Sequence, residues 1–284
     1  MNRPAVIERL VQAALAEDLG TGDVTTTATV AESARGRARI IAKTAGVIAG
    51  LDAAREVYRQ SDPATVFEAR RVDGDGVRPH DLVATAEGSF ARLLAAERTA
   101  LNFLQRLSGI ATLTQRYVEA VSGTRSRIVD TRKTTPGWRA LEKAAVLAGR
   151  GTNHRMGLFD AYLVKENHIA AAGGIPQALS AVARANTTGL PVEIEVRSMA
   201  DLELVLDHPN PPDRILLDNF PRVELGEAVT RARRHRPGLL LEASGNVSLD
   251  TVRELAEQGV DWISVGALTH SATALDLTCL IEQA

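Results

Sequence analysis

The first third of the chain mixes helical and strand-like patterns of apolar residues. From Pro4 to Asp18, apolar residues recur every three or four positions and Gly20 follows, which predicts an amphipathic helix with a stop signal. Further helices are expected at 51–60 and 89–107, and short strand-like runs lie at 36–43, 46–50, 64–71 and 82–88. Strands grouped with strands and flanked by helices predict an α+β layer, a small antiparallel sheet with one helical face.

After residue 110 the pattern changes to an alternation of strand-like and helical segments. Helical patterns cover 176–186, 198–206, 222–235 and 249–258, and the apolar runs lie at 127–129, 161–164, 192–196, 214–217, 239–241 and 262–265. Such alternation predicts an α/β fold with a parallel sheet. A complete eight-unit barrel usually needs about 250 residues, so six units predict a short, incomplete α/β barrel.

The composition excludes several classes of protein. Of the 284 residues, 45% are hydrophobic and 24% are charged, which is enough apolar surface to offset the entropy of ordering a globular chain. The formal net charge of −2 creates no general attraction to nucleic acid or an anionic membrane. The single cysteine, Cys279, cannot form an internal disulfide, and no run approaches the ~18 apolar residues of a membrane span. We therefore expect a cytoplasmic protein.

Polar residues follow or end the six apolar runs of the alternating segment. Because the carboxyl ends of parallel strands open onto one face, we expect these residues to converge on one mouth. Any one of them alone can equally be a helix cap or a solvated rim residue, but six run ends in succession favour a site. The residues are Asp130 to Lys133, Lys165 to His168, Glu193 with Glu195, Asp218 with Asn219, Glu242 to Asn246, and Gly266 with Ala267.

The charges at this mouth constrain its ligand. Its positive side chains would repel one another unless an anion with several charges lay among them, so a polyanionic ligand is expected. Two carboxylates, those of Glu195 and Asp218, suit a hard cation such as Mg²⁺ bound largely through water and substrate phosphates. Alternatively, these carboxylates only neutralise neighbouring arginines. The cationic residues are Arg132, Lys133, His154, Arg155 and Lys165.

Two glycine-bearing segments follow the last two apolar runs. Ser244-Gly245-Asn246 and Gly266-Ala267 precede helical segments, and in barrels this is a common position for phosphate. Outside a barrel, short segments of this kind are ordinary turns. The sequence has neither a GxxxxGK(S/T) motif nor a GxGxxG motif after a strand, so nucleoside triphosphates and dinucleotides lack their usual signatures.

Six stretches of the sequence closely resemble the quinolinate phosphoribosyltransferase family. The family converts quinolinate and phosphoribosyl pyrophosphate to nicotinate mononucleotide, CO₂ and pyrophosphate with Mg²⁺. The resemblance implies an N-terminal α+β open sandwich domain, 1–110, joined by the C-terminal segment 271–284, and an incomplete α/β barrel as catalytic domain, 111–270. The stretches are ERTALNFLQRLSGIAT (97–112), DTRKTTPGWRALEKAAVLAGRGTNHRMGLFDAYLVKENHI (130–169), EIEV (193–196), ILLDNF (215–220), EASGNVS (242–248) and VGALTHS (265–271).

The resemblance also implies a role for each matching position. The two carboxylates of quinolinate would be held by Arg132, His154, Arg155 and Lys165. Lys133 would contact the phosphoribosyl donor, and the ribose hydroxyls and metal would be held by Glu195 and Asp218. Arg132, Lys133, Lys165, Glu195 and Asp218 would form the catalytic set. Thr131 also belongs to the substrate-binding residues, and phosphate would be bound by Ser244, Gly245, Asn246, Gly266 and Ala267, with His270 close by.

Arg98 matches a family residue that reaches into the barrel of the neighbouring subunit. The resemblance therefore implies a homodimer with two shared active sites. One departure concerns Arg197, which follows the EIEV run where many relatives carry an acidic or small residue. This extra cation can alter the surroundings of Glu195, or it can point outward. Rival hypotheses are a related protein encoded with molybdate transport systems and a non-catalytic anion-binding protein of the same fold.

Overall fold

The computed structural model describes residues 3–283, which divide into two compact units. The first unit comprises the chain up to Gln115, the segment Lys133–Gly151 and the chain from Leu268 onward, and the second comprises Arg116–Arg132 and Thr152–Ala267. The helices and strands up to residue 120 are α1 (Arg3–Leu19), α2 (Val24–Thr29), β1 (Arg35–Ala42), β2 (Gly46–Val47), α3 (Leu51–Ser61), β3 (Val66–Ala69), β4 (Gly76–Val77), β5 (Leu82–Ser89) and α4 (Phe90–Ala120).

The remaining elements follow α4 mainly as the predicted alternation of strand and helix, except that two helices in succession lie between residues 166 and 185 and the last element is a further strand. They are β6 (Arg127–Val129), α5 (Arg139–Ala148), β7 (Tyr162–Val164), α6 (Glu166–Ala172), α7 (Ile175–Ala185), β8 (Val192–Val196), α8 (Met199–Leu206), β9 (Arg214–Asp218), α9 (Arg222–His235), β10 (Leu240–Ser244), α10 (Val252–Glu257), β11 (Trp262–Ser264), α11 (Ala267–His270) and β12 (Leu277–Gln283).

An antiparallel sheet forms the centre of the first unit. Its strand order within residues 3–283 is β12-β1-β5-β3, so the last strand of the chain pairs with the first. Every second residue of β1 is buried, as the period-2 geometry of a half-buried strand requires; these are Gly36, Ala38, Ile40 and Ala42. The predicted antiparallel α+β layer is confirmed.

Helix α4 is longer than the sequence pattern predicts, because it continues through Gly109 to Ala120. A glycine inside a helix normally weakens the helix. At Gly109, the absence of a side chain makes room for another segment of the chain. A Cβ atom at Gly109 would overlap the carbonyl oxygen of Thr273, so the missing side chain lets the C-terminal segment approach the helix. The expected end at 107 was therefore wrong.

The segment Lys133–Gly151 packs with the first unit, although the predicted domain boundary assigns it to 111–270. Trp138 stacks on Phe103 of α4 with ring centroids 4.6 Å apart. Where α5 ends, a Cβ atom at Gly149 would overlap the carbonyl oxygen of Ala111, so α5 and α4 approach each other closely. These contacts join residues far apart in sequence, and apolar periodicity carries no signal for them.

The second unit is built on a parallel sheet. Its order within the described residues is β6-β11-β10-β9-β8-β7, which confirms the predicted α/β alternation. The central residues Ile194, Ile215, Leu241 and Ile263 are fully buried, as expected for strands covered on both faces. In the part of the chain described, β6 and β7 end the sheet and no pair joins them, so closure into a barrel stays a prediction.

None of the helices among residues 3–283 has the length and the continuous apolar character that a membrane crossing requires.

Candidate active site

The predicted site residues of the second unit lie along the carboxyl edge of its parallel sheet. Lys165 directly follows β7, Glu195 lies near the end of β8, and Asp218 and Ser244 end β9 and β10. The same edge is reached by Thr131 and Arg132 after β6 and by Gly266 and Ala267 after β11. Parallel strand direction is the physical reason that residues so distant in sequence share one edge.

Lys165 and Glu195 are in direct contact. The Lys165 Nζ atom lies 3.0 Å from Glu195 Oε2 and donates a hydrogen bond to it. The Glu195 side chain is 4% exposed, whereas that of Lys165 is 45% exposed. Burial raises the pKa of Glu195, the nearby Asp218 carboxylate adds to this, and Lys165 acts in the opposite direction. The ammonium therefore stabilises the ionised form of a carboxylate that its surroundings disfavour.

Arg197 points into the site and not outward. One guanidinium Nη2 atom lies 3.0 Å from Glu195 Oε1, and its Nε atom lies 3.5 Å from Asp218 Oδ2. Although this ion pair is close, Glu195 Oε1 is buried and has no donor aligned for a hydrogen bond. The Glu195 carboxylate is thus flanked by two cations, one at each oxygen.

Glu195 and Asp218 suit a hard divalent cation. Both offer carboxylate oxygens, and Glu195 Oε1 is a buried acceptor without an aligned donor, which is the kind of atom that a metal ion satisfies. The Asp218 Oδ2 atom accepts a hydrogen bond of 3.0 Å from Asn219 Nδ2, which orients this carboxylate. The donor set therefore fits Mg²⁺, which prefers a few carboxylates together with water and phosphate oxygens.

The predicted phosphate segment after β10 packs against the end of β9. The Asn219 N–H donates to the Ser244 carbonyl oxygen at 2.9 Å, and a Cβ atom at Gly245 would overlap the Asn219 side chain. Gly245 has φ +105°, and Asn219 and Asn246 also have positive φ, at 55° and 47°. Only glycine fits such a position beside another chain segment without strain, so Gly245 has a structural requirement independent of any ligand.

A buried charged quartet lies below Lys165 and Glu195, one strand period deeper in the sheet. Glu193 precedes Glu195 by two residues and so faces the same side of β8, about 6–7 Å further from the carboxyl edge. His154 Nε2 lies 3.0 Å from Glu193 Oε2 and 3.5 Å from Glu242 Oε2. Arg214 Nε lies 3.0 Å from Glu193 Oε1 and 3.4 Å from Glu242 Oε2. We call these four residues the buried quartet.

The buried quartet holds His154 in place. Burial by itself lowers the pKa of His154, but the carboxylates of Glu193 and Glu242 outweigh it and raise the pKa to about 9. The Arg155 N–H points at His154 Nδ1 at 2.7 Å, and this contact opposes a proton on Nδ1. Both influences leave Nε2 carrying a proton that faces the carboxylates. The orientation of the His154 ring is therefore the same whether the imidazole is neutral or protonated.

His154, Glu193 and Glu242 also lie close enough together to resemble a metal cluster. The guanidinium of Arg214 is already within 3.4 Å of both carboxylates, and it stacks over the Trp262 ring at 3.7 Å. A histidine with its proton on Nε2 has no lone pair for a metal at that atom. Ion pairing therefore accounts for this group better than metal binding.

The predicted cations Arg132 and Arg155 come near each other. Burial lowers the pKa of Arg155, and the positive charge of Arg132 lowers it further. The Arg155 Nη1 atom donates to the Ala161 carbonyl oxygen at 3.1 Å, and the His154 N–H donates to Asp130 Oδ1 at 2.8 Å. Two guanidinium groups that repel each other favour a multiply charged anion beside them.

Three predicted site residues belong to the first unit. Arg98 lies on α4 with a side chain that is 59% exposed and 3.6 Å from the Glu97 carboxylate. The Lys133 carbonyl oxygen accepts a hydrogen bond of 2.8 Å from Thr269 Oγ1, which brings the segment of Lys133 beside that of His270. His270 Nδ1 contacts Ser271 Oγ at 2.6 Å.

Sequence reasoning missed a buried anchor of the Lys133 segment. Glu142 is fully buried and accepts hydrogen bonds from Thr135 N and Oγ1, at 3.1 and 2.8 Å, and from Arg106 Nη2 at 3.3 Å. Arg106 also binds the carbonyl oxygens of Thr269 and Ala272. The sequence signal that could have revealed this anchor is the charged residue Glu142 at a position of α5 that otherwise calls for an apolar side chain. Sequence reasoning also gave no role to Arg214, because a cation at a strand start reads as a solvated residue.

Comparison with known proteins shows which family the chain belongs to. A family model described as the quinolinate phosphoribosyl transferase C-terminal domain matches residues 110–279, and the model of the N-terminal domain matches residues 23–108. The chain belongs to the quinolinate phosphoribosyltransferase family. The junction of the two models lies close to the predicted boundary between 110 and 111.

Known relatives of the chain resemble it over nearly its whole length. A carboxylating nicotinate-nucleotide pyrophosphorylase of Mycobacterium leprae is 43% identical, with 94% of each chain covered. A chloroplastic enzyme of the same name from Arabidopsis thaliana is 40% identical, covering 97% of this chain and 83% of the relative. The solved nicotinate-nucleotide pyrophosphorylase of Francisella tularensis superposes with a TM-score of 0.93 at 38% identity, covering 99% and 98% of the two chains.

Proposed function

We propose that this protein transfers the phosphoribosyl group of phosphoribosyl pyrophosphate to quinolinate and releases nicotinate mononucleotide, CO₂ and pyrophosphate. The observation that carries the proposal is that Arg132 and Lys165 follow strands at the carboxyl edge of the sheet, with Arg155 close to Arg132, in a chain whose relatives are named for this reaction. The proposal places the protein in NAD biosynthesis. No observation favours the molybdate-associated protein or the non-catalytic anion-binding protein.

In the proposed reaction, the protein works by binding and electrostatics. Arg132, Arg155 and Lys165 hold the two carboxylates of quinolinate, which directs the pyridine nitrogen toward the anomeric carbon. His154, whose ring nitrogens already face Glu193, Glu242 and the Arg155 N–H, supports this binding through its positive charge and by orienting the Arg155 backbone. Glu195 and Asp218 lie where positive character builds on the ribose, and Lys133 lies on the side of the departing pyrophosphate. Mg²⁺ held by Glu195, Asp218 and phosphate oxygens would supply charge neutralisation for the leaving group.

Decarboxylation requires no protein nucleophile in this scheme. Once the pyridine nitrogen carries the ribose, the ring is an electron sink. The neighbouring carboxylate leaves as CO₂, its electron pair stays on the ring carbon, and a proton from solvent then forms the C–H bond of nicotinate mononucleotide. The role of the cations is then to bind the substrate in the orientation that places this carboxylate beside the positive nitrogen. The remaining proposed contacts to the phosphoribosyl donor and its phosphates come from Thr131, Ser244, Gly245, Asn246, Gly266, Ala267 and His270.

The first test compares two bases in the presence of phosphoribosyl pyrophosphate and Mg²⁺. We expect purified protein to form nicotinate mononucleotide from quinolinate and very little from nicotinate, because a single carboxylate would leave part of the cation cluster unpaired. The measurement is chromatographic quantification of the product from each base. Equal turnover of the two bases, or turnover of neither, would contradict the proposal.

The proposal also includes the incomplete barrel, a cytoplasmic location and a homodimer. Closure of the parallel sheet into the barrel would bring Arg132 and Lys165, after its two end strands, toward the same centre. The single cysteine agrees with a reducing compartment. The exposed position of Arg98 on α4 agrees with a role in the partner subunit's site, for which it must project away from its own chain.

A subunit-mixing experiment tests the shared site. Arg98→Ala and Lys165→Ala homodimers should each be nearly inactive, since every site lacks one cation. A heterodimer carries both defects in one site and none in the other, so random mixing should restore up to about a quarter of wild-type activity if sites act independently. The measurement is activity after co-expression. Verified heterodimers without recovery would mean that Arg98 does not complete the partner's site.

A further inference from the structure

Arg197 lies among three carboxylates from three different strand ends. Besides Glu195 at 3.0 Å and Asp218 at 3.5 Å, its guanidinium Nη2 atom lies 3.3 Å from Glu166 Oε2. Glu195 Oε2 is held separately by Lys165, also at 3.0 Å. Arg197 therefore approaches the one Glu195 oxygen that Lys165 leaves available, and it spans the gap between Glu195 and Asp218.

The backbone directs Arg197 toward this place. Glu195 and Arg197 are two residues apart at the end of β8, so their side chains leave the chain on the same side. The Arg197 N–H donates to Asp201 Oδ2 at 3.2 Å, and Ser198 caps α8 through a hydrogen bond from Asp201 N. This turn holds the Arg197 backbone, while a side chain that is 53% exposed can still move.

We propose that Arg197 is a resident counter-ion for Glu195 and Asp218, which competes with the divalent cation for these carboxylates and so sets the metal concentration that the enzyme needs. This inference rests on the proposed function, in which Glu195 and Asp218 hold the metal. A guanidinium and a divalent cation at the same two carboxylates repel each other. Arg197 must therefore swing toward solvent before the metal can bind, and the metal site of the free protein is weakened.

A purely structural role for Arg197 would have a different consequence. Ion pairs of half-exposed arginines contribute little to folding stability, so removing this one should leave the fold intact. Removing a positive charge within a few ångströms of a metal site, by contrast, strengthens cation binding directly. Metal affinity therefore separates the two explanations, whereas stability does not.

The experiment measures the binding of Mn²⁺ alone to the purified protein, by electron paramagnetic resonance of the free ion. Mn²⁺ takes the same oxygen ligands as Mg²⁺. We expect Arg197→Gln to bind Mn²⁺ at least about fivefold more tightly than wild type, and Arg197→Lys to stay within about twofold, because the charge remains. Arg231→Gln is the matched control, since the Arg231 side chain is 50% exposed, close to the 53% of Arg197, and pairs with Glu203 on another helix. Its Mn²⁺ affinity should not change.

Two further measurements complete the test. Adding Glu195→Gln to Arg197→Gln should abolish the gain in Mn²⁺ affinity, and the Mg²⁺ concentration for half-maximal rate should be lower in Arg197→Gln than in wild type. Unchanged Mn²⁺ affinity in Arg197→Gln, or a gain that survives Glu195→Gln, would overturn the inference. If Arg197→Gln fails to fold, Arg197→Ser provides a second neutral variant.

Failure of this inference is distinguishable from failure of the proposed function. Mn²⁺ binding needs no substrate, so it reports on Arg197 even if quinolinate is not turned over. Conversely, a wild-type protein that forms nicotinate mononucleotide while Arg197→Gln shows no gain in Mn²⁺ affinity would contradict only the role of Arg197.

Discussion

Replacing Arg214 by methionine is expected to lower the free energy of unfolding by about 3–5 kcal/mol. The side chains of Glu193 and Glu242 are 2% and 0% exposed, and they would be left in the sheet interior with His154 as their remaining close cation. Methionine keeps part of the contact with Trp262, so the loss of stability comes chiefly from removal of the positive charge. The measurement is urea unfolding followed by circular dichroism.

Two controls separate burial of charge from loss of packing. Arg231→Met removes an ion pair with Glu203 that is half exposed, and we expect it to cost only about 0–1 kcal/mol. Adding Glu193→Gln to Arg214→Met should restore part of the stability, because one uncompensated carboxylate is then neutral. A cost below about 1 kcal/mol for Arg214→Met, or no recovery in the double variant, would show that the buried quartet is not held together by these charges.

The second large effect concerns catalysis. Under the proposed function, Glu195→Gln is expected to reduce kcat/KM by about 10²–10³-fold, because the amide keeps the size of the side chain but loses the charge that faces the ribose and the metal. Folding stability should stay the same or rise. Burial opposes ionisation of Glu195, and Lys165 is exposed enough to be solvated when its partner becomes neutral.

The combination of lost activity and retained stability is the informative result. Steady-state kinetics with quinolinate and thermal unfolding of the same preparations measure the two quantities. Glu203→Gln is the matched control, because it also removes a carboxylate paired with an arginine, but one on α8 that lies outside the proposed site. A Glu195→Gln enzyme with kcat/KM within about threefold of wild type would exclude a catalytic role for this carboxylate.

Part of the candidate site follows from local sequence. Residues that close an apolar run within an α/β alternation must lie at the carboxyl edge of a parallel sheet, and this placed Lys165, Glu195, Asp218 and Ser244 correctly. The direction of Arg197 was also available from the period of a strand, since Glu193, Glu195 and Arg197 are spaced by two. The direction stayed open at the level of sequence because a residue just beyond the end of a strand can turn either way.

The sequence alone determined the alternation of strands and helices in the second unit, the parallel character of its sheet and the family. Each of these depends on periodicity or on contiguous motifs, which are local. Only the tertiary structure decided that Arg214 joins Glu193, Glu242 and His154, that α5 packs on α4, and that Gly109 lies inside a continuous helix. These features depend on which side chains meet across the fold, and that is fixed by packing and by the pairing of buried charges between distant segments.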